Sequence, residues 1–320
     1  MTRVLVTGAG GFVGSILCPL LAQAGYVIRA VERPERPSLV GATERVVVGD
    51  IGGGTDWTQA LRGVEMVMHL AARVHVMNDA ASAAGVYLET NARGTQRLAA
   101  ESARNGIRRL IYLSSVKVNG EETSDHAYSA ADVPHPLDAY GRSKWQGEQF
   151  LAQTAAGSGM QAVVVRSPLV YGPGVRANFL RLLRWVDRER LLPLGAIRNR
   201  RSLVSVWNLC DLLLRVLDHP AAASRTWMVS DGCDVSTPEL VRRLARAMGR
   251  RARLLPVPAT LLELAGGLFG KGAEMRRLCG SLTEDIAATR EELKWSPPVP
   301  MDEGLAHTVS WYQSQGRAPS

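Results

Sequence analysis

Val4-Leu5-Val6-Thr7-Gly8-Ala9-Gly10-Gly11-Phe12-Val13-Gly14 stands at the start of the chain, and its reading decides the fold. An unbroken apolar triplet is the pattern of a parallel strand buried on both faces. The glycines allow a tight turn and let backbone N–H groups approach a phosphate at a helix N-terminus. A helical pattern follows through Ile16, Leu17, Leu20 and Leu21 to Gly25, with Pro19 expected to kink or shorten it. Strand, glycine turn and helix together make Gly8, Gly11 and Gly14 candidate dinucleotide-binding positions, although the G-x-x-G-x-x-G spacing differs from the G-x-G-x-x-G fingerprint.

Working outward, strands are expected at 26–31, 45–49, 66–70, 109–113 and 161–166, alternating with helical patterns that include one long helix over 83–105. That rhythm predicts an α/β fold, a doubly wound parallel sheet of Rossmann type with ligands at the carboxyl ends of its strands. Glu32, 18 residues after Gly14, stands where a carboxylate would accept from an adenosine ribose and favour NAD. Arg33, which follows it, and nearby Arg36 would suit the extra phosphate of NADP, so the choice between NAD and NADP stays open. After Gly174 helices dominate, which places residues 1–174 in a dinucleotide-binding domain, with 202–232 returning to it, and 175–320 in a smaller, mostly helical substrate domain.

Tyr140 and Lys144 are four residues apart at the opening of a helix that Asp138 can cap. They share a face about 6 Å apart along the axis, and an ammonium there would lower the phenol pKa and ready it for proton exchange. The other classes are weaker. The net charge of +8 comes from scattered arginines rather than an aromatic-interleaved basic run, which argues against nucleic acid and for a small phosphorylated ligand. Four distant cysteines, Cys18, Cys210, Cys233 and Cys279, suit a reducing compartment, and six histidines, His69 and His75 included, offer no metal constellation. A cytoplasmic protein is expected. Met1-Thr2-Arg3 leads directly into a strand, and the apolar stretch Leu261 to Phe269 is too short to span a bilayer.

Taken together, Thr7–Gly14, Gly49-Asp50-Ile51, His69-Leu70-Ala71-Ala72, Asn91-Ala92-Arg93-Gly94-Thr95, Ser114-Ser115, Tyr140-x-x-x-Lys144 and Arg166-Ser167-Pro168 resemble the extended short-chain dehydrogenase/reductases of the nucleotide-sugar epimerase/dehydratase group. The resemblance implies Phe12 and Val13 at a pyrophosphate, Asp50 and Ile51 at the adenine, and Leu70, Ala71, Ala72, Asn91 and Pro168 along the cofactor. It implies Ser115 on the reacting sugar oxygen, Tyr140 exchanging its proton, and Lys144 on the nicotinamide ribose. Lys117, Asn178 and Arg201 fall at substrate positions, the last two where relatives hold the uracil or diphosphate of a UDP-sugar. Asn119 departs from the tyrosine usual in the group.

Ser115–Glu121, Gly172–Trp185 and Leu192–Val204 resemble a branch of 4-reductases acting on UDP-4-keto-6-deoxy-N-acetylhexosamines in surface-polysaccharide synthesis. The leading expectation is therefore reduction at C4 of a UDP-sugar. A UDP-sugar 4-epimerase with tightly held NAD and a non-catalytic dinucleotide sensor are the alternatives, and the resemblance also implies a homodimer.

Overall fold

The structure is a computed structural model in which residues 1–32, 41–74, 80–268, 270 and 272–315 are described; Arg33, Arg36 and His75 lie outside them. The elements in chain order are β1 (Arg3–Thr7), α1 (Gly14–Gln23), β2 (Val27–Glu32), β3 (Glu44–Val47), α2 (Thr58–Leu61), β4 (Met66–His69), α3 (Ala80–Tyr87), α4 (Gly94–Arg104) and β5 (Arg109–Ser115). They continue with α5 (Ala139–Ala156), β6 (Gln161–Ser167), β7 (Leu169–Tyr171), α6 (Ala177–Asp187), β8 (Leu203–Ser205), α7 (Val206–Asp218) and β9 (Thr226–Met228). Last come α8 (Thr237–Met248), α9 (Ala259–Leu268), α10 (Gly272–Cys279), α11 (Ala287–Leu293) and α12 (Met301–Gln315).

Seven strands form one parallel sheet in the order β3-β2-β1-β4-β5-β6-β9. The order reverses between β1 and β4, and the crevice outside that switch point is where open α/β sheets bind ligands. Val4, Leu5 and Val6 are fully buried, as an apolar strand covered on both faces must be. One layer of the core joins β1, β4 and β6 to α1 and α7 through Leu17, Leu21, Leu209 and Leu213. The other packs Leu5, Val67 and Leu110 against Trp57, Leu98 and Leu151. Cys18 and Cys210 are buried in the first layer, and burial pushes the Cys18 thiol up to about 12.

A second core, with Phe179, Leu183, Leu203, Val241, Leu244 and Leu305, joins α6, α8 and α12 to the small sheet β7-β8. Phe12, at the tip of the glycine turn, packs against both cores.

The long helix expected over 83–105 forms, but not as one regular helix. A π-helical turn, Leu88–Arg93, separates α3 from α4. Such turns insert an extra residue and occur frequently at functional sites. Pro19 lies inside α1, which runs unbroken from Gly14 to Gln23.

Candidate active site

The glycine turn is built for close backbone approach. Gly8 has φ +69°, and a Cβ there would lie 2.8 Å from the Ala71 nitrogen. At Gly14 a Cβ would lie 2.4 Å from the carbonyl oxygens of both Gly8 and Ala9. Gly11 donates its N–H to the Gly8 carbonyl at 2.9 Å and closes the turn. Helix α1 then begins with no side-chain cap and no acidic residue in its first turn. Its first amides close onto the glycine turn, Ser15 N–H on Gly11 O and Ile16 N–H on Val13 O. The turn therefore runs straight into the helix and sets its positive dipole end at the carboxyl end of β1, which fits a dinucleotide pyrophosphate.

The walls of this crevice are held from below. Thr7 Oγ1 accepts the Ala71 N–H at 3.2 Å and bonds His69 Nδ1 at 2.7 Å, while His69 Nε2 meets Thr95 Oγ1 at 3.1 Å. His69 is fully buried, and burial with the nearby Lys144 charge brings its pKa down to about 3, so it is a neutral strut. Asn91, delivered by the π turn, accepts the Arg73 N–H at 2.8 Å and donates to Arg73 O and Ser143 Oγ, each at 3.0 Å. Its side chain therefore ties the Leu70-Ala71-Ala72 strand exit to α5. Asp50 is exposed and Ile51 packs partly buried on the sheet core; the loop after them is pinned by Glu89, which accepts the Gly53 N–H at 2.7 Å. Pro168 is buried between β6 and β7. Glu32 is buried at the end of β2 and paired with Arg45 at 2.5 Å.

Helix α5 presents the chemistry. Asp138 caps it by accepting the Gly141 N–H at 2.6 Å. Ser115, at the end of β5, hydrogen-bonds the Tyr140 phenol and caps the short 3₁₀ turn Val116–Val118. Lys144 is 2% exposed, donates to the Leu113 carbonyl at 2.7 Å, and sits 3.9 Å above the Tyr112 ring.

The expected lowering of the Tyr140 pKa is not found. Burial raises it well above the ordinary tyrosine value, with Asp138 adding to the rise and the Ser115 bond only partly offsetting it. The reason is that the Lys144 amine turns to Leu113 and Tyr112, and burial brings its own pKa down to about 7. Ser115, Tyr140 and Lys144 nonetheless converge on one wall.

Behind that wall lies a buried network the sequence reading missed. Glu148 accepts from Ser114 Oγ at 2.5 Å, Arg166 Nε at 3.1 Å and Arg166 Nη2 at 2.7 Å. Arg166 also donates to Asn119 Oδ1 at 3.0 Å, and Asn119 Nδ2 donates to the Ser129 carbonyl at 2.9 Å. Asn119 thus satisfies a buried guanidinium, a physical role for the departure noted above. Tyr87 adds an edge-to-face contact with Tyr140 at 5.8 Å.

The positions expected to meet substrate are less simple. Lys117 is paired with Glu121 at 3.0 Å and Asp138 at 2.5 Å. Arg201 donates to the carbonyls of Arg277 at 2.7 Å and Gly280 at 3.2 Å, so its guanidinium holds the end of α10. Asn178 is exposed on α6 and accepts from Arg181 at 3.0 Å. Among the described residues no group of three or more His, Cys, Asp or Glu could hold a metal, and no helix is long and apolar enough to cross a membrane.

The family model for the NAD dependent epimerase/dehydratase family matches residues 4–229, from the first strand to β9. The chain belongs to that family. It is an enzyme of the extended short-chain dehydrogenase/reductase type. It is 42% identical over 312 residues to a UDP-glucose 4-epimerase of Vibrio cholerae, covering 96% of this chain and 94% of the relative. It is 28% identical to N-acetyl-alpha-D-glucosaminyl-diphospho-ditrans,octacis-undecaprenol 4-epimerase of Escherichia coli O157:H7, over 97% and 95% of the two chains. Among solved structures, MoeE5 in complex with UDP-glucuronic acid and NAD superimposes with a TM-score of 0.79 at 26% identity, over 98% and 99% of the chains. The UDP-glucose 4-epimerase of Thermotoga maritima, with UDP-glucose, has the same fold, with a TM-score of 0.80 at 22% identity.

Proposed function

We propose that the protein moves a hydride between C4 of a UDP-sugar and a resident NAD, acting as a UDP-sugar 4-epimerase. The observation that carries this reading is the convergence of Ser115, Tyr140 and Lys144 beside a glycine turn shaped for a pyrophosphate. The relative from Vibrio cholerae supports the sugar and the outcome. Glu32, buried at the end of β2, supports NAD over NADP, because a carboxylate there disfavours a second phosphate.

The dinucleotide, when bound, supplies the hydride acceptor and donor. The chain's residues do the rest. Partial burial keeps Tyr140 protonated near neutrality, which suits it to give its proton to the C4 keto oxygen in the reductive half-reaction. To take the proton of the C4 hydroxyl in the oxidative half-reaction it must first lose its own, a loss that positive charge from Lys144 and the bound dinucleotide would favour. The hydroxyl of Ser115 orients that oxygen and shares the proton position. Lys144, with a pKa near neutrality, can answer changes of charge on the phenol without a large cost in free energy. Holding both reactants in one crevice supplies most of the rate advantage, and the positioned acid adds about 10²–10⁴-fold.

The reductase reading stands second, supported by the likeness of Ser115–Glu121 and Leu192–Val204 to the 4-reductase branch. One experiment separates the two. The purified protein is assayed for NAD released on denaturation, then given UDP-glucose, UDP-N-acetylglucosamine, or a UDP-4-keto-6-deoxy sugar with NADH or NADPH. Interconversion at C4 with bound NAD and no net coenzyme consumption supports the epimerase. Stoichiometric loss of reduced nicotinamide absorbance with the keto sugar alone supports the reductase, and neither result sinks both.

A further inference from the structure

Helix α9 carries Leu262 half-buried against the second core and Gly266 buried, so this face is anchored. The opposite face is Leu261, Leu264, Ala265 and Leu268, spaced i, i+3, i+4 and i+7, and its three leucines are 55%, 64% and 80% exposed. A helix that turns its apolar stripe to water reverses the usual arrangement, and such stripes mark interaction surfaces. The chain leading into α9 is basic. Arg250, Arg251 and Arg253 are all exposed, and between Met248 and Ala273 the sequence holds one carboxylate, Glu263. Leu255, itself exposed, lies on this same segment, which hydrogen-bonds to Leu192 at 2.8 Å beside exposed Leu191.

We propose that the outer face of α9 and the arginines before it dock the protein onto an anionic membrane surface. The helix is ten residues long, about 15 Å, too short to cross a bilayer and suited to lying in the headgroup layer with its leucines in the acyl boundary. Arginines flanking the stripe complement anionic headgroups. The same charges weigh against a second copy as the occupant, because an isologous contact would bring this basic segment against itself. Helix α10 packs on α9 and reaches the site wall, where Arg277 meets Glu121 at 2.9 Å. Docking through α9 therefore holds the catalytic cleft close to the membrane face.

The test is sedimentation of the purified full chain with vesicles of phosphatidylglycerol and phosphatidylcholine, against vesicles of phosphatidylcholine alone. Binding to the anionic vesicles is expected, weakened by salt. Leu264→Asp should lower the partition coefficient about tenfold or more, and Arg251→Glu with Arg253→Glu by a similar factor, with helicity, melting temperature and turnover of a soluble UDP-sugar unchanged. Binding no better than to neutral vesicles, or equal binding by parent and both variants, overturns the proposal. So does a concentration-dependent dimer that Leu264→Asp abolishes, which would assign the face to a second copy.

Discussion

Replacing Glu148 by Ala tests whether the buried network behind Tyr140 holds α5 in place. Glu148 and Arg166 are 4% and 3% exposed at their side chains and meet through two bonds, with Ser114 as a third partner of the carboxylate. Removing one member of a buried pair leaves an uncompensated charge and costs about 3–5 kcal/mol. The orphaned Ser114 hydroxyl adds about 1 kcal/mol or more. At roughly 2 °C per kcal/mol for a chain of this size, the melting temperature should fall by roughly 8–12 °C. Arg166→Met should be as damaging, because it strands Glu148 and frees the Asn119 amide.

The double variant Glu148→Leu with Arg166→Met removes both charges at similar volume and should recover most of the loss. The assay is chemical denaturation of the four proteins of a cycle built on Glu148→Leu and Arg166→Met (parent, each single variant and the double), with midpoint and slope fitted separately. A coupling energy near zero, or single variants losing under 1 kcal/mol, would refute the assignment of this pair as the support of α5.

Three further outcomes follow from the geometry. Tyr140→Phe should reduce kcat by about 10²–10⁴-fold while the protein still retains NAD, measured by turnover and by nucleotide released on denaturation. Gly14→Ala pushes a methyl to 2.4 Å from two carbonyl oxygens, so α1 must shift away from the pyrophosphate position. Retained NAD should fall at least tenfold, and a fully loaded variant would remove the glycine turn from the account. For Lys144, the folded pKa of about 7 lies below the unfolded value of 10.5. The unfolded chain therefore holds more protons between those two pH values, and stability should rise with pH across that window, by a few kcal/mol at most. Lys144→Met, compared with the parent in coenzyme-free protein, should flatten that rise; parallel curves would show that the amine titrates normally.

Much of the fold was readable because its signals are local. Buried parallel strands are uninterrupted apolar runs, and the Gly8–Gly14 turn needs glycine for the left-handed φ and close Ala71 contact at Gly8 and for the space a Cβ would take from two carbonyls at Gly14. The pairing of Tyr140 with Lys144 on one helical face is equally local. What they do electrically is not, because it depends on what else is buried there. The Leu113 carbonyl and the Tyr112 ring take the Lys144 amine, and desolvation outweighs the Ser115 bond at the phenol. The π turn at Leu88–Arg93 leaves no mark in a helical pattern, yet it sets Asn91 against Arg73 and Ser143. Arg201 read as a free cation, but its donors meet carbonyls nearly eighty residues away in sequence, on a segment whose position no local pattern reveals.

The most direct test of the account is single turnover with a UDP-sugar carrying deuterium at C4, on protein loaded with NAD. The account requires a primary isotope effect on the appearance of reduced nicotinamide absorbance, with the label recovered on the nicotinamide or returned to C4 of the product. An isotope-insensitive reaction, or a label that stays on the sugar while the protein turns over, would contradict hydride transfer at that carbon.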